Sequence, residues 1–419
     1  MVRGASWEQI LPCNSWSAGA TIDSDITTAQ RWGRAPPLVL TPGAVGVEWT
    51  EETVISTNTS EQTSWHAATL IVGGSLGGLT TALALAASGR AVTVLERTGG
   101  RTQRGVAILV SGASLRRALG SRAREIVGKA LGPASMRQGV YPHSWWDVYS
   151  ALRDAADAEP LITVVENAHV AEVGQNDAAA WARVEDGSVW TTDVLLGADG
   201  YRSVVRRQVD SARPVADYAG YVVWLGQSEL SQSYVERVGG PDFFSGEDDM
   251  LAVYPLIDRD GGVTRYGWGW FDPHHTSLFR RIGAIDGAEV KYTPRVNAVP
   301  GEVYDEMIRA AETRWPEPWR TGVVEAFRAR DVVATPITEY LPHRVVNGRI
   351  GVLGDAAHAQ TPMTGAGFEE AVADAVALAE ALDGVGAEQG LERYEAARLA
   401  GMRSRVSAGQ SFSRSFAES

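Results

Sequence analysis

The sequence predicts an α/β protein: a parallel sheet wrapped by helices and interrupted by a second, β-rich domain. Three stretches predict it. Thr69-Leu70-Ile71-Val72 is a short apolar run that leads into Gly73-Gly74-Ser75-Leu76-Gly77-Gly78 and then into a helical pattern. Val194-Leu195-Leu196-Gly197-Ala198-Asp199-Gly200 is a second apolar run that ends in Gly and Asp. Gly351-Val352-Leu353-Gly354-Asp355 is a third, followed by a loop with His358 and Pro362 and by a strongly helical segment. Between the second and third stretches the pattern changes to strands with alternating aromatic residues: Tyr221–Leu225, Met250–Pro255 and Val263–Phe271.

A chain of 419 residues has room for two or three domains, and 44% hydrophobic residues supply a large core. The net charge of −13 argues against nucleic acid or an anionic membrane as partner. Cys13 is the one cysteine, so no disulfide framework and no thiolate metal site is expected. That, with no secretory signal in residues 1–30, suits a cytoplasmic protein. Ala67 to Gly89 carries no charge over 23 residues, long enough to span a bilayer. Four glycines between Gly73 and Gly78 split it into two periodicities and favour a strand, a turn and a helix instead. Residues 1–65 show no period and read as a loosely ordered extension.

The first stretch carries a dinucleotide fingerprint. Gly73 makes the tight turn after the strand, and Gly78 lets helix and strand pack closely. The middle glycine of the usual pattern, where backbone approaches a pyrophosphate, is Ser75, which brings a hydroxyl donor to the same place. A second strand, Ala91 to Leu95, ends in Glu96, placed to accept hydrogen bonds from an adenosine ribose. Gly73, Ser75, Leu76, Gly78, Glu96 and the adjacent Arg97 are therefore candidate cofactor-binding residues.

The third stretch puts Asp355 at the carboxyl end of a strand, where open α/β sheets bind ligands. Gly365-Ala366-Gly367 then opens a helix with apolar residues three and four apart from Phe368 to Leu382. Glu369 and Glu370 lie in its first turn. A glycine-rich helix start offers bare N–H groups to an anion, and a reduced flavin, with negative charge on N1 and O2, is one.

In this order the three stretches resemble the single-component FAD-dependent aromatic hydroxylases, over about Ala67 to Leu382. Serine in the glycine loop, Ser144-Trp145-Trp146-Asp147-Val148-Tyr149 and Tyr218-Ala219-Gly220-Tyr221-Val222-Val223-Trp224 are most similar to members like 2,6-dihydroxypyridine 3-hydroxylase. The resemblance implies a Rossmann-like FAD-binding domain of the GR2, p-hydroxybenzoate hydroxylase type, with an inserted β-rich substrate domain. The FAD-binding parts would be residues 66–213 and 336–398, the β-sheet substrate domain 214–335, and a C-terminal tail 399–419. FAD and NAD(P)H are the implied cofactors. Dioxygen and a small aromatic molecule are the implied partners, in a monomer or homodimer. By position, Asp199 and Gly200 would lie near the pyrophosphate, Asp355 on the ribityl chain, and Pro362, Gly365, Ala366 and Gly367 along the isoalloxazine. Arg104 would belong to a loop beside the ring. Many members have arginine near Trp145 and asparagine at Glu369; this chain departs at both.

An apolar roof over the flavin suits an aromatic substrate, and Trp224, Phe243, Phe244, Tyr254, Trp268 and Trp270 are the candidate lining residues. His358, Tyr254 and His143 are the candidate bases. The implied activity is hydroxylation of a phenolic or hydroxy-heteroaromatic molecule. Epoxidation or Baeyer–Villiger oxidation of a polyketide-like compound, and a non-oxygenase reductase or cyclase, are the alternatives.

Overall fold

The charge-free stretch Ala67–Gly89 folds as strand, tight loop and helix. In the computed structural model, residues 63–101, 105–133, 135, 139–229 and 241–417 are described. The chain enters with β1 (Ser64–Val72), α1 (Leu76–Ala87) and β2 (Val92–Leu95), a parallel βαβ unit. β3 (Ala107–Ser111) and β4 (Val140–Ser144) form an antiparallel ribbon, separated in sequence by α2 (Gly112–Ala118) and α3 (Ser121–Leu131). α4 (Trp145–Asp157) leads to β5 (Ile162–Val165), then to β6 (Val170–Gln175), β7 (Ala180–Val184) and β8 (Val189–Gly197), and a short α5 (Arg206–Val209) closes this part.

The β-rich part contains β9 (Asp217–Glu229), β10 (Asp242–Ser245), β11 (Met250–Ile257) and β12 (Val263–Asp272). After α6 (Thr276–Arg281) come the short β13 (Ile285–Asp286) and β14 (Glu289–Val290). Two helices follow, α7 (Gly301–Arg314) and α8 (Trp319–Ala329), and then β15 (Val333–Glu339). The chain returns through β16 (Val346–Asn347), β17 (Ile350–Val352), a one-turn α9 (Asp355–His358), α10 (Gly367–Ala381) and a long α11 (Ala387–Ala417).

The first sheet runs β16-β17-β8-β1-β2-β5, with the β6–β7 hairpin laid on β8. β17, β8, β1, β2 and β5 pair in parallel. Their cores, such as Leu70, Ile71, Val94, Leu195 and Val352, are sealed, as a sheet covered on both faces requires. The second sheet runs β10-β11-β12-β9-β14-β13, with β15 also on β9, and is antiparallel throughout.

Three sequence boundaries move. Ser64 and Trp65, expected in the extension, already belong to β1, because they pair with β8 and Trp65 stacks on Trp190 at 5.7 Å. Residues 1–62 of that extension lie outside the described residues. Residues 336–339, expected in the returning FAD-binding part, stay in β15: the strand pairs with β9 from Val333↔Leu225 to Glu339↔Asp217. The expected polar tail at 399–419 is helix to Ala417. Its buried Met402, Val406, Gly409 and Ser413, spaced four, three and four, make one stripe that turns inward. No helix among the described residues is long and apolar enough to cross a membrane.

Candidate active site

The carboxyl ends of β1, β2, β8 and β17 meet at one edge of the parallel sheet, and the three sequence stretches meet there with them. Gly73 has φ +105°, and a Cβ on it would meet the Ala198 carbonyl oxygen at 2.4 Å. A Cβ on Gly78 would meet the Gly73 carbonyl oxygen at 1.9 Å. These two glycines let the loop, α1 and the turn after β8 press together. Ser75 is the N-cap of α1, but its side chain makes no capping hydrogen bond, so its hydroxyl stays available at the helix start beside the buried Leu76.

Glu96 is buried. One of its oxygens accepts from the Gly74 amide at 2.8 Å and the other from the Thr98 amide and hydroxyl at 3.0 and 2.7 Å. The acid expected to meet a ribose thus also ties the glycine loop to the end of β2. Arg97, next to it, is exposed. Arg104 lies outside the described residues. The Asp199 carboxylate accepts from the Ser203 hydroxyl at 2.5 Å and the Val204 and Val205 amides at 2.7 and 3.2 Å, so it caps the turn that Gly200, at φ +78°, begins. Burial raises its pKa against those three bonds.

Asp355 heads α9 after Gly354, whose φ is +54°. Its side chain reaches solvent, yet the protein mass around it raises its pKa, while His358 and Arg206 pull it back. Asp355 thus stands exposed at the sheet edge, on a wall of otherwise buried groups. Arg206, which the sequence reading left unremarked in Arg202-Ser203-Val204-Val205-Arg206, builds this wall from behind. It is buried and donates to the carbonyls of Ala356, Pro214 and Tyr201 at 3.0, 3.3 and 2.5 Å, with its guanidinium 4.4 Å from the Tyr340 ring centroid.

The loop at Pro362 to Thr364 is one turn of 3₁₀ helix, ended by Gly365 at φ +59°. A Cβ on Gly365 would meet Leu109 Cδ1 at 2.7 Å, whereas a Cβ on Gly367 would meet nothing within 4 Å. Ala366 is the N-cap of α10, whose first amides have no intrahelical acceptor. In the first turn Glu369 accepts a hydrogen bond from Ser114. An open helix start with the glycine cradle and Glu96 on the same sheet edge fits FAD: anion donors at one end and a ribose acceptor at the other. The two glycines should therefore separate fold from binding. Gly365→Ala is expected to destabilise the protein by about 1–2 kcal/mol, the cost of a left-handed non-glycine residue. Gly367→Ala should melt with the wild type and yet hold FAD more weakly. Melting temperature and flavin retention, measured on both variants, check this; equal retention in Gly367→Ala removes that glycine from the flavin contact.

None of the candidate bases is set up as one. His358 is sealed from solvent and bonded to Asp374 at 2.6 Å. His143 is 1% exposed in β4, and its Nε2 has no hydrogen-bond partner. Burial lowers its pKa against the Ile257 carbonyl, Asp147 and Asp258. Tyr254 has its pKa raised by burial alone.

The second sheet has two faces, and they correct the lining residues. Trp224 pairs opposite Trp270, and Trp268 lies two residues away on the same strand and face. That face is covered by α7 and α8. Trp224 and Trp268 approach Phe327 at 5.6 and 5.8 Å, and Trp270 meets Trp315 at 5.2 Å. Their indole N–H groups are taken by Asp272, Ser228 and Asp249. Phe244, opposite Leu251, packs on the same cluster. These residues are core, because the largest rings go where two helices and a sheet remove most water.

Phe243, Ala252, Gly269 and Leu225 form a row on the other face, and Tyr254, Gly267 and Gln227 form the next row. Met363 of the Pro362 loop packs on this face, and the Gln227 amide donates to the Val106 carbonyl at 2.6 Å. This is the face turned toward the Pro362–Thr364 loop. The alternation Tyr266-Gly267-Trp268-Gly269-Trp270 already held the signal: the bare positions, not the tryptophans, mark the side on which neighbouring groups approach the strand closely. At the end of the face nearest α11, Tyr221 bonds Thr361 at 2.5 Å and packs on Phe416 at 5.3 Å.

A sequence profile described as "FAD binding domain" matches residues 306–408. The chain is 30% identical over 364 residues to aurachin C monooxygenase/isomerase of Stigmatella aurantiaca, covering 79% of this chain and 84% of that one. It is 27% identical over 334 residues to 2,6-dihydroxypyridine 3-monooxygenase of Paenarthrobacter nicotinovorans, covering 74% and 81%. The solved 2,6-dihydroxypyridine-3-hydroxylase from Arthrobacter nicotinovorans superposes with a TM-score of 0.67 at 22% identity, over 83% of this chain and 92% of that chain.

Proposed function

The chain belongs to the FAD-dependent monooxygenases, and from that premise we propose that it hydroxylates a small phenolic or hydroxy-heteroaromatic molecule with NAD(P)H and dioxygen. One observation carries the substrate class: the open start of α10 follows Met363, which packs on a sheet face where β12 offers only Gly267 and Gly269 and the Tyr254 ring and Leu225 side chain lie flat over them. A planar ring fits between such walls. Relatives whose names state dihydroxypyridine or hydroxybenzoate as substrate support the same reading.

Bound FAD would supply the redox chemistry and the activation of dioxygen. The protein's part follows from its own residues. The glycine loop, Ser75 and Glu96 would bind the adenosine half, and Asp355 the ribityl chain. The amides at the start of α10 would hold the pyrimidine edge of the ring and favour negative charge there. Phe243, Ala252, Leu225 and the Tyr254 ring would exclude water and hold the substrate ring flat.

The test follows the consumption of NAD(P)H and oxygen with and without candidate phenols and hydroxypyridines, with product analysis by mass. A product heavier by one oxygen atom, derived from dioxygen and still aromatic, is expected. A product that gains oxygen by ring opening or as an epoxide would overturn hydroxylation.

A further inference from the structure

Tyr254 lies in the row Tyr254–Gly267–Gln227 on the face turned toward the Pro362–Thr364 loop. A Cβ on Gly267 would meet its Cε2 at 2.3 Å and its Cζ at 3.1 Å. The ring therefore lies over Gly267, with the hydroxyl beyond it on Cζ. It makes no hydrogen bond to any described residue, although the residue is partly buried. The neighbouring polar groups are already engaged. Gln227 donates to Val106 and accepts from Arg265 at 3.4 Å, and Arg265 is shared between Asp147 and Asp258 at 3.3 and 3.4 Å.

Resting on the hydroxylase reading above, we propose that Tyr254 selects substrates that carry an oxygen acceptor on the ring, a phenolate or a ring carbonyl, by donating its one hydrogen bond to that oxygen at the sheet face turned toward the Pro362–Thr364 loop. Burial keeps the phenol protonated at neutral pH, so Tyr254 acts as a donor and not as the base. A site with one unpaired donor rejects the analogue that cannot pair it, because that donor is then left dry and unsatisfied. A ring that merely packs on this face gains only the apolar contact.

The experiment titrates the FAD-loaded protein with matched probes, 2,6-dihydroxypyridine against pyridine and 3-hydroxybenzoate against benzoate, following the flavin absorbance. In the wild type, at least one oxygen-bearing probe should bind roughly 10- to 100-fold more tightly than its partner. Tyr254→Phe, which keeps the ring over Gly267, should retain FAD and bind the two members of each pair alike. Discrimination that survives in Tyr254→Phe overturns the assignment to Tyr254 and leaves the hydroxylase reading standing. Absence of discrimination in the wild type overturns the substrate class on which it rests. Loss of FAD from Tyr254→Phe also overturns the assignment, because the phenol would then serve the cofactor or the fold.

Discussion

Asp374→Ala is expected to destabilise the protein by about 3–5 kcal/mol and to release FAD, the largest effect of any single side chain on the sheet edge. Asp374 and His358 are both sealed from solvent, and one Asp374 oxygen accepts from His358 at 2.6 Å and from the Gly354 amide at 3.0 Å. The other accepts from Arg398 at 2.7 Å. Arg398 continues to Glu370, which also meets Arg405. Removing the carboxylate strands the imidazole in the core, leaves Arg398 held by Glu370 alone, and frees the Gly354 turn that carries Asp355. Burial raises the Asp374 pKa, but the field and hydrogen bond of His358, with Arg398 and the Gly354 amide, outweigh it and hold the value low. Burial lowers the His358 pKa, but Asp374, then Asp355 and Glu370, hold it high.

The signs fix a pH window. The Asp374 contribution is complete above about 3.9 and is lost as the pH falls through its depressed folded value. The His358 contribution is complete below about 6.5 and is lost as the pH rises through its raised folded value. The melting-temperature gap between wild type and Asp374→Ala should therefore be widest at about pH 5–6 and narrow on both sides. A gap that is the same at every pH would mean that Asp374 acts through shape and not through charge.

Gly78→Ala should abolish FAD binding and cost about 3 kcal/mol of stability. The added methyl would sit 1.9 Å from a backbone oxygen, and backbone cannot swing aside as a flexible side chain can. Either α1 moves off β1 or the loop at Gly73 opens, and both undo the cradle. Flavin stoichiometry and thermal melting test this. A variant that keeps one FAD per chain would show that the cradle is looser than its geometry. Gly89→Ala is the control, since a Cβ there meets nothing within 4 Å, and its φ of +83° confines the cost to local strain.

The sequence was most legible where one residue type has one physical job. The glycines of the first loop, Glu96 at the end of β2 and the Gly–Asp turns announce backbone conformations and donor sets that little else supplies. It was least legible where a period of two gives equal weight to both faces of a sheet. Trp224, Trp268 and Trp270 share the right spacing with any lining residue, and only the helices over them, Gly301–Arg314 and Trp319–Ala329, decide that they are core. The tail misled for a related reason. The mean polarity of residues 399–417 describes the outer surface of α11, while the stripe that matters is four residues, Met402, Val406, Gly409 and Ser413. Arg206 was missed because a buried arginine held by carbonyls leaves no mark in its neighbours along the chain.

That last helix sets the order in which the protein can be made. The Gly409 position lies against Thr361, Ser413 donates to Glu339 at 2.7 Å, and Arg398 and Arg405 hold the start of α10. β1 leaves the ribosome well before α11, yet the sheet edge to which it contributes is finished only when residues near 413 have emerged. At usual elongation rates this is a delay of roughly 20–70 s, during which apolar strands wait half-covered. Holoenzyme assembly thus waits for α11, and chains arrested before it should accumulate as flavin-free substrates for chaperones and proteases.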